Sequence, residues 1–145
     1  MITIIPMTVH DLAEAAALAA RVYSTSADEL LPELTEALGD PQQQTYLAHD
    51  GGAAVGFAQV SLRHDYVEGT ESSPVGYLEG IYVMPDHRMQ GLARALVETC
   101  KDWARAQGCS EFASDTPLHN VESQAFHQAL GFTEAERIVC YTQQL

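Results

Sequence analysis

Arg88-Met89-Gln90-Gly91-Leu92-Ala93 is the stretch of this sequence that decides its fold. An apolar, strand-like segment at 77–83 leads into it and ends before Pro85, and a long amphipathic helical pattern follows it. The first turn of such a helix presents N–H groups without intrahelical acceptors, and the helix dipole adds partial positive charge. A strand, a glycine turn and a helix N-terminus in this order are therefore typical of a phosphate-binding site.

The spacing R-x-x-G-x-A differs from the two commonest nucleotide-binding motifs. A P-loop needs Gly-Lys-Ser/Thr, and a dinucleotide-binding turn needs G-x-G-x-x-G. Gly91 and Ala93 would let the backbone close on phosphate oxygens, and Arg88 would add charge. An ordinary strand-to-helix loop explains six residues equally well, so the interpretation depends on the rest of the chain.

The chain has 145 residues, 46% of them hydrophobic and 19% charged. This composition predicts one soluble globular domain over 1–145, because no linker, repeat or low-complexity tract divides the sequence. No run reaches the ~18 apolar residues of a membrane span, and the N-terminus lacks the features of a signal peptide. Cys100, Cys109 and Cys140 have no metal-ligand spacing, which predicts small core residues in a reducing cytoplasm and no metal site.

The charge balance is strongly acidic. Seven basic residues against 20 acidic ones give a formal net charge of −13. Nucleic acid and anionic membranes are therefore not expected partners, whereas a cationic substrate would be attracted by this field. Solubility alone explains an acidic surface equally well.

Hydrophobic periodicity and turn residues predict ten elements in the order β-α-α-β-β-β-α-β-α-β. The expected bounds are a strand at 2–5, a helix after a Thr8–Asp11 capping box, a helix from Asp28 to Leu38, a hairpin within 45–62, a strand at 76–83, a helix at 91–107, a strand at 110–115, a helix at 120–130, and one or two strands within 132–142. Strands joined through helices predict an α/β fold with a mixed, partly parallel sheet covered on both faces.

That element order, the turn at 88–93, and Asn120 before a helix ending in Leu130-Gly131-Phe132 resemble the GCN5-related N-acetyltransferases, the GNAT superfamily. More specific phrases resemble its homodimeric aminoglycoside 6'-N-acetyltransferase branch. They are Arg63-His64-Asp65-Tyr66-Val67, Ser72-Ser73-Pro74, Leu78-Glu79-Gly80-Ile81, Ala113-Ser114-Asp115 and Glu134-Ala135-Glu136-Arg137. The resemblance implies a single-domain acetyltransferase fold with a splayed sheet, a cytoplasmic homodimer, acetyl-coenzyme A as donor and an aminoglycoside as acceptor.

The resemblance also implies a set of site residues. Those for the coenzyme are Ile81, Tyr82, Val83, Arg88, Met89, Gln90, Gly91, Leu92, Ala93, Arg94 and Asn120. Those for the substrate are Tyr23, Tyr66, Glu79, Asp115 and Glu136, with Glu79, Asp115 and His127 as catalytic candidates. Asn120 is an equally good N-cap for its helix.

Glu79 is the first candidate to take the proton of the attacking amine. Strand alternation predicts Tyr77, Glu79, Ile81 and Val83 on one face of an apolar strand. A carboxylate partly buried there has a raised pKa unless it meets a cation, and the substrate ammonium would be that cation. A structural glutamate bonded to a neighbouring loop is the alternative. Gly80 predicts either a bulge that splays the strand or a packing requirement.

The other candidates have competing structural roles. Asp115 closes a strand, where aspartate often serves as a turn residue. Glu136 stands beside Arg137, so a surface ion pair is its alternative. Tyr66 lies on a polar loop with Asp65 and Glu68, where an aromatic ring and carboxylates suit an amino sugar but a solvated loop is also expected.

Two positions depart from the superfamily pattern. His127 stands where many members carry a tyrosine that protonates the leaving thiolate; a histidine can donate a proton near neutral pH, but one on a helix surface is more often structural. Tyr23 stands where related enzymes place a tryptophan, which keeps an aromatic surface but puts the substrate range in doubt. The alternatives to the aminoglycoside function are acetylation of a polyamine or a protein N-terminus, and a non-catalytic acyl-coenzyme A-binding domain.

Overall fold

A computed structural model describes all residues, 1–145, and shows five strands and four helices. The strands are β1 (Ile2–Pro6), β2 (Gln43–Asp50), β3 (Ala53–Arg63), β4 (Val75–Val83) and β5 (Phe112–Ser114), and the helices are α1 (Leu12–Ala19), α2 (Ala27–Ala37), α3 (Leu92–Ala106) and α4 (Val121–Ala129). Short 3-10 turns at Val9–Asp11 and Pro85–His87 precede α1 and the glycine turn. No helix combines the length and the apolar character that crossing a bilayer requires.

The helix starts follow from capping chemistry. Thr8 and Asp11 form the predicted capping box, which satisfies N–H groups that the first turn leaves free. The prediction that Asp28 caps the second helix was wrong, because Ser26 accepts from the N–H of Glu29 and α2 starts at Ala27. Gly108 follows α3 with a φ of 93°, the left-handed conformation predicted for the residue that ends this helix.

The strands form one sheet in the order β1-β2-β3-β4-β5. The first four pair antiparallel, and only β4 and β5 are parallel, so the sheet is mixed as predicted. The parallel pair is short: Gly76, Tyr77 and Leu78 face Phe112, Ala113 and Ser114. Beyond Leu78 the β5 side of β4 has no strand partner, which is the splay that the resemblance implies.

Two hydrophobic cores cover the two faces of the sheet. On one face, Leu96, Val97 and Cys100 of α3 pack in one cluster with sheet residues such as Ala58 and Val60. On the other face, α1 and α2 pack on a cluster that contains the fully buried Leu47 and Phe57. Burial on both sides fixes the sheet between the helices and leaves its splayed edge to form a site.

A β-bulge in β4 changes the predicted strand alternation. Gln59 pairs with Gly80 and Val60 pairs with Leu78, so Glu79 has no residue opposite it on β3. Leu78 therefore packs in the α3-side cluster together with Ile81 and Val83, and the prediction that the residues at 77, 79, 81 and 83 share one face was wrong. One extra residue breaks the period of two, as β-bulges do.

The predicted strands within 132–142 are absent. The chain has no regular secondary structure after α4, and the apolar side chains of Ile138, Val139 and Tyr141 are 60%, 75% and 89% exposed. This segment contains the β-branched and aromatic residues that favour strands. A strand also needs a neighbouring strand to pair with its backbone N–H and C=O groups, and this segment has no such neighbour within the monomer. The observed order therefore ends at α4.

Candidate active site

The glycine turn has the geometry of an anion-binding helix start. Gly91 precedes α3 with a φ of 80°, and Met89 also has a positive φ, 65°. Such a backbone favours glycine and directs successive N–H groups toward one side. No side chain caps α3 and no acidic residue lies in its first turn, so its first N–H groups and its positive dipole end remain available to phosphate oxygens. This part of the molecule fits a coenzyme A pyrophosphate.

The two arginines predicted to contact the coenzyme already have protein partners. Arg88 donates from Nε to the carbonyl oxygen of Val83 at 2.8 Å, which ties the turn to the end of β4 and leaves its two terminal nitrogens without a bond. Arg94 donates to the carbonyl oxygen of Ala129 at 2.8 Å, at the C-terminal end of α4. Both side chains therefore brace the turn, and their contacts with the coenzyme stay a prediction.

A histidine holds the segment before the turn. His87 Nε2 lies 2.9 Å from Asp50 Oδ2, on the β2–β3 hairpin, and His87 Nδ1 lies 2.9 Å from Asp86 Oδ1. Hydrogen bonding to Asp50, then to Asp86, raises the pKa of His87. Sequence reasoning missed this contact because Asp50 is 37 residues away and no local pattern marks it.

Glu79 lies in an ion pair, which corrects the prediction of a partly buried carboxylate waiting for a substrate cation. Arg63 at the end of β3 donates to it twice, from Nη2 to Oε1 at 2.8 Å and from Nε to Oε2 at 3.1 Å. Ser61 also donates to Oε2. A bidentate arginine is the strongest partner that a protein offers a carboxylate, so Glu79 is satisfied before any ligand arrives.

The same arginine connects Glu79 to Asp115. The guanidinium of Arg63 lies over the ring of Tyr77, 3.6 Å from its centroid. The Tyr77 hydroxyl donates to Asp115 across the short parallel ladder, and burial followed by this hydrogen bond raises the Tyr77 pKa. Both predicted carboxylates therefore belong to one network at the splay, while Arg63 and Tyr77 had no role in the sequence prediction.

Tyr23 packs against β4 next to the bulge, on the face of the sheet that α1 and α2 cover. Its hydroxyl donates to Gln59 Oε1 at 3.0 Å, and burial, together with Glu79 and more distant carboxylates, raises its pKa to about 12. The ring packs directly on Gly80, where a Cβ atom would overlap the hydroxyl and lie 3.0 Å from Cζ. Gly80 is thus both next to the bulge and a packing requirement, so the two explanations left open by the sequence both hold.

A groove of about 1210 Å³ runs from Glu79 between the sheet and α2. Glu33, Glu36 and Asp40 line it together with Tyr23, Gln59 and Ser61. The groove is open and acidic, and Glu79, the ion-pair partner of Arg63, is part of its lining. Sequence reasoning missed Glu33, Glu36 and Asp40, because they lie on α2 and the loop after it, and their proximity to β4 is tertiary.

The loop 64–74 borders this site and is anchored. Glu111 accepts from the N–H groups of Glu71 and Ser72 at 2.9 and 2.8 Å, and Val67 is buried. Tyr66 is 75% exposed, which leaves its ring free to contact a ligand. Asp65, Tyr66 and Glu68 are exposed, as in the solvated loop that is the alternative from the sequence, while Val67 and Glu111 hold the loop in place.

Glu136 lies on the irregular C-terminal segment. A Cβ atom at Gly69 would overlap Ala135, so this segment packs against the loop 64–74 and brings Glu136 beside it. The ion pair that is the alternative role of Glu136 does not form with Arg137, which binds Glu134 at 2.6 Å, three residues earlier in the sequence. Glu136 is exposed and has no hydrogen-bond or ion-pair partner within the monomer.

His127 lies at the splay and not on an open helix surface. Its Nδ1 lies 2.7 Å from the carbonyl oxygen of Ser123, which can only accept, so Nδ1 carries a proton. Its Nε2 lies 2.9 Å from the hydroxyl of Ser114, the last residue of β5, and the ring packs edge-on against Phe126 and Phe132. Asn120 caps the same helix by accepting from the N–H of Ser123 at 3.1 Å.

The model of the Acetyltransferase (GNAT) family matches residues 9–132. The protein belongs to the GNAT acetyltransferase family. A GNAT relative named aminoglycoside N(6')-acetyltransferase type 1, from Stenotrophomonas maltophilia, is 49% identical over 120 residues, or 82% of this chain and 78% of the relative. A relative of the same name from Serratia marcescens is 48% identical over 84% of each chain.

Solved GNAT structures show the same fold. The aminoglycoside antibiotic 6'-N-acetyltransferase AAC(6')-IG from Acinetobacter haemolyticus superposes with a TM-score of 0.95, at 38% identity and 99% coverage of both chains. AAC(6')-Iy, solved with the bisubstrate analog CoA-S-monomethyl-acetylneamine, superposes with a TM-score of 0.94 at 38% identity, over 100% of this chain and 99% of that one. These results confirm the predicted family, and they confirm the mixed-sheet fold apart from its final strand.

Proposed function

We propose that this GNAT protein transfers the acetyl group of acetyl-coenzyme A to the 6'-amine of aminoglycosides. The observation that carries the proposal is the acidic groove lined by Glu79 of β4, the strand that has no partner on its β5 side beyond Leu78 and that leads along the chain to the anion-binding turn at Gly91. Acetyl-coenzyme A supplies a thioester whose acyl carbon is the electrophile. A ligand that carries several ammonium groups, as an aminoglycoside does, suits a groove lined by Glu33, Glu36 and Asp40 on a chain with net charge −13.

The residues of the groove supply orientation and proton transfer. The amine arrives mostly protonated, because an alkyl ammonium group such as that of lysine has a pKa of about 10.4. We assign Glu79 and Asp115 to hold this ammonium and to accept its proton, directly or through water. The free amine then attacks the acyl carbon, and the carbon–sulfur bond breaks. The N–H groups of Ile81–Val83 on the unpaired side of β4 are suited to stabilise the oxyanion that forms.

We assign His127 to the leaving group. Ser114 and His127 meet where β4 and β5 separate, and the Ser114 hydroxyl also donates to the Leu78 carbonyl oxygen at 3.2 Å. With the Nδ1 proton on the Ser123 carbonyl and the Ser114 hydroxyl proton on the Leu78 carbonyl, the donor would be an imidazolium Nε2–H directed at Ser114 Oγ, which would pass its proton to a thiolate formed in the splay. This gives His127 a position that suits a proton donor, although the helix pattern alone favours a structural role.

We also propose a homodimer through the C-terminal segment. Ile138, Val139 and Tyr141 are exposed, and β5 pairs with β4 on one edge only, so both an apolar strip and a free strand edge need a partner. Pairing between two copies would bury both and would place Glu136 at the subunit boundary. Sedimentation of the full chain and of a chain ending at residue 137 tests this: the full chain should be dimeric and the shortened chain monomeric.

The remaining partners and the location follow from charge and thiol chemistry. The net charge of −13 opposes binding to nucleic acid and anionic membranes. All three cysteines are free, two of them buried, which suits a reducing cytoplasm.

One assay tests the proposed function. Purified protein, acetyl-coenzyme A and separate samples of neamine, spermidine and a peptide are followed by thiol release and product mass. Neamine should gain one acetyl group at its 6'-amine, and Glu79→Gln should lower kcat/KM by at least about a hundredfold while the folded state persists. Acetylation of spermidine or the peptide, but not of neamine, would reject the aminoglycoside function in favour of another amine substrate. Binding of coenzyme A without turnover of any amine would identify a non-catalytic binding domain.

A further inference from the structure

We propose that Arg63 is a resident counter-ion of Glu79 that the 6'-ammonium of the substrate displaces, so that Arg63 sets the affinity for that amine. This inference rests on the proposed function and deepens it. It concerns a residue of β3 with no part in the acetyl transfer itself.

The first step is that Arg63 occupies the place of a ligand cation. Its two bonds to Glu79 use both carboxylate oxygens, and Ser61 takes a further position on one of them. A second cation on the same carboxylate would lie against the guanidinium, and like charges at that distance repel. The one acceptor position of Glu79 that remains, on Oε1 beside the guanidinium, is therefore unfavourable for a second cation, and an ammonium gains a full ion pair by replacing one of the Arg63 bonds.

The second step is that the pair is accessible. The Arg63 side chain is 43% exposed and that of Glu79 is 31% exposed, and Glu79 lines the acidic groove. Water screens an ion pair this exposed, so even with its two-bond geometry it is weaker than the same pair would be when buried. Exchange of one cation for another therefore costs less here than it would in a fully buried pair.

Arg63 has a second contact in addition to its ion pair with Glu79. Its guanidinium already stacks on Tyr77, and the Tyr77 hydroxyl binds Asp115, whose charge also acts on Arg63. A rotation about the end of the side chain that keeps this stacking contact would turn the guanidinium away from Glu79, while Asp115 keeps its bond from Tyr77. The released Glu79 then faces the substrate amine with its full charge, which an arginine-paired carboxylate does not offer.

Binding of two matched ligands tests this exchange without turnover. Neamine carries the 6'-amine, and paromamine carries a hydroxyl in its place. Calorimetry gives the Kd of each ligand in the presence of coenzyme A, which has no acetyl group to transfer. The proteins compared are wild type, Arg63→Gln and the control Arg105→Gln, which removes an exposed charge on α3. Arg63→Gln should bind neamine about fivefold more tightly than wild type does, and its Kd for paromamine should stay within about twofold of the wild-type value.

The control separates local exchange from a general change in charge. Arg105→Gln should change the Kd values of neamine and paromamine equally, and by less than about twofold, at about 0.15 M salt. Equal or weaker neamine binding by Arg63→Gln would overturn the inference, as would equal tightening for both ligands. If Arg63→Gln does not fold, Arg63→Lys, which keeps the charge and loses the two-bond geometry, should bind neamine between wild type and the expected Gln value; wild-type affinity would refute the exchange.

A measurement on the wild-type protein needs no variant. The Arg63 Nε–H signal in an NMR spectrum reports the bond to Glu79, so neamine should move it and increase its exchange with water, while paromamine should leave it in place. An Nε–H signal unmoved by saturating neamine would refute the exchange. Thiol release with neamine tests the enzyme function separately: turnover without these changes rejects only the role of Arg63, and no acetylation of neamine rejects the proposed function.

Discussion

Replacing Gly80 with alanine tests how the bulge and Tyr23 build the site together. The new Cβ would overlap the Tyr23 hydroxyl and lie 3.0 Å from Cζ and 3.4 Å from Val22 Cγ1. Ordinary carbon contacts are about 3.5–4.0 Å, so the ring must retreat by at least about 0.5 Å. Overpacking of this kind costs about 1–3 kcal/mol, and loss of the 3.0 Å bond from Tyr23 to Gln59 costs about 1 kcal/mol. Together these contributions predict a loss of about 2–4 kcal/mol in the free energy of unfolding.

Urea unfolding measures that loss, and steady-state kinetics measure its effect on the groove. KM for neamine should rise, because the displaced Tyr23 ring no longer holds its place in the lining of the groove. Gly52→Ala is the control, since no atom lies within 4 Å of a Cβ at that position. Tyr23→Phe removes the overlapping hydroxyl, so the double variant should lose less stability than the sum of the single ones. A Gly80→Ala protein with wild-type stability and KM would refute the packing argument.

Three further predictions concern the fold, its pH dependence and the proton donor. Gly76→Ala should lower the free energy of unfolding by about 1–3 kcal/mol in urea, because its Cβ would lie 2.6 Å from Ala104 Cβ; an unchanged midpoint would contradict this packing of α3. The Asp50 contact that raises the pKa of His87 should stabilise the fold below a pH of about 6.5 and lose its effect as pH rises through the raised pKa, so the Tm difference between wild type and His87→Gln should shrink between pH 5.5 and 9. His127→Gln should lower kcat by about a hundredfold, and an unchanged kcat would exclude His127 as proton donor.

The local pattern of the chain was enough to predict most elements. The helix start after Gly91 was predicted because apolar periodicity, a glycine and the absence of a competing cap all agree. The hairpin at Gly51-Gly52 and the capping box at Thr8 were predicted for the same reason, since turns and caps are decided by residues a few positions apart. The resemblance added the family, which the comparisons confirm.

The site itself was predicted only as a collection of residue types. Glu79 and Asp115 were identified, but their connection through Arg63 and Tyr77 joins positions separated by 16 and 38 residues. No periodicity encodes such a contact, because it depends on the bulge that shifts the register of β4 against β3. The expectation that the substrate ammonium is the cation that Glu79 meets failed for the same reason: Arg63 of the neighbouring strand already pairs with it.

Sequence alone determined the strand–turn–helix unit at Gly91 and the acidic balance of the chain, because both depend on residue type and near neighbours. Only the tertiary structure decided which cation Glu79 meets, where His127 lies, and that the residues after Phe132 form no strand inside one subunit. The physical reason is that charge pairing and strand formation need a partner in space, and the chain brings that partner from far along its length or leaves the position without one.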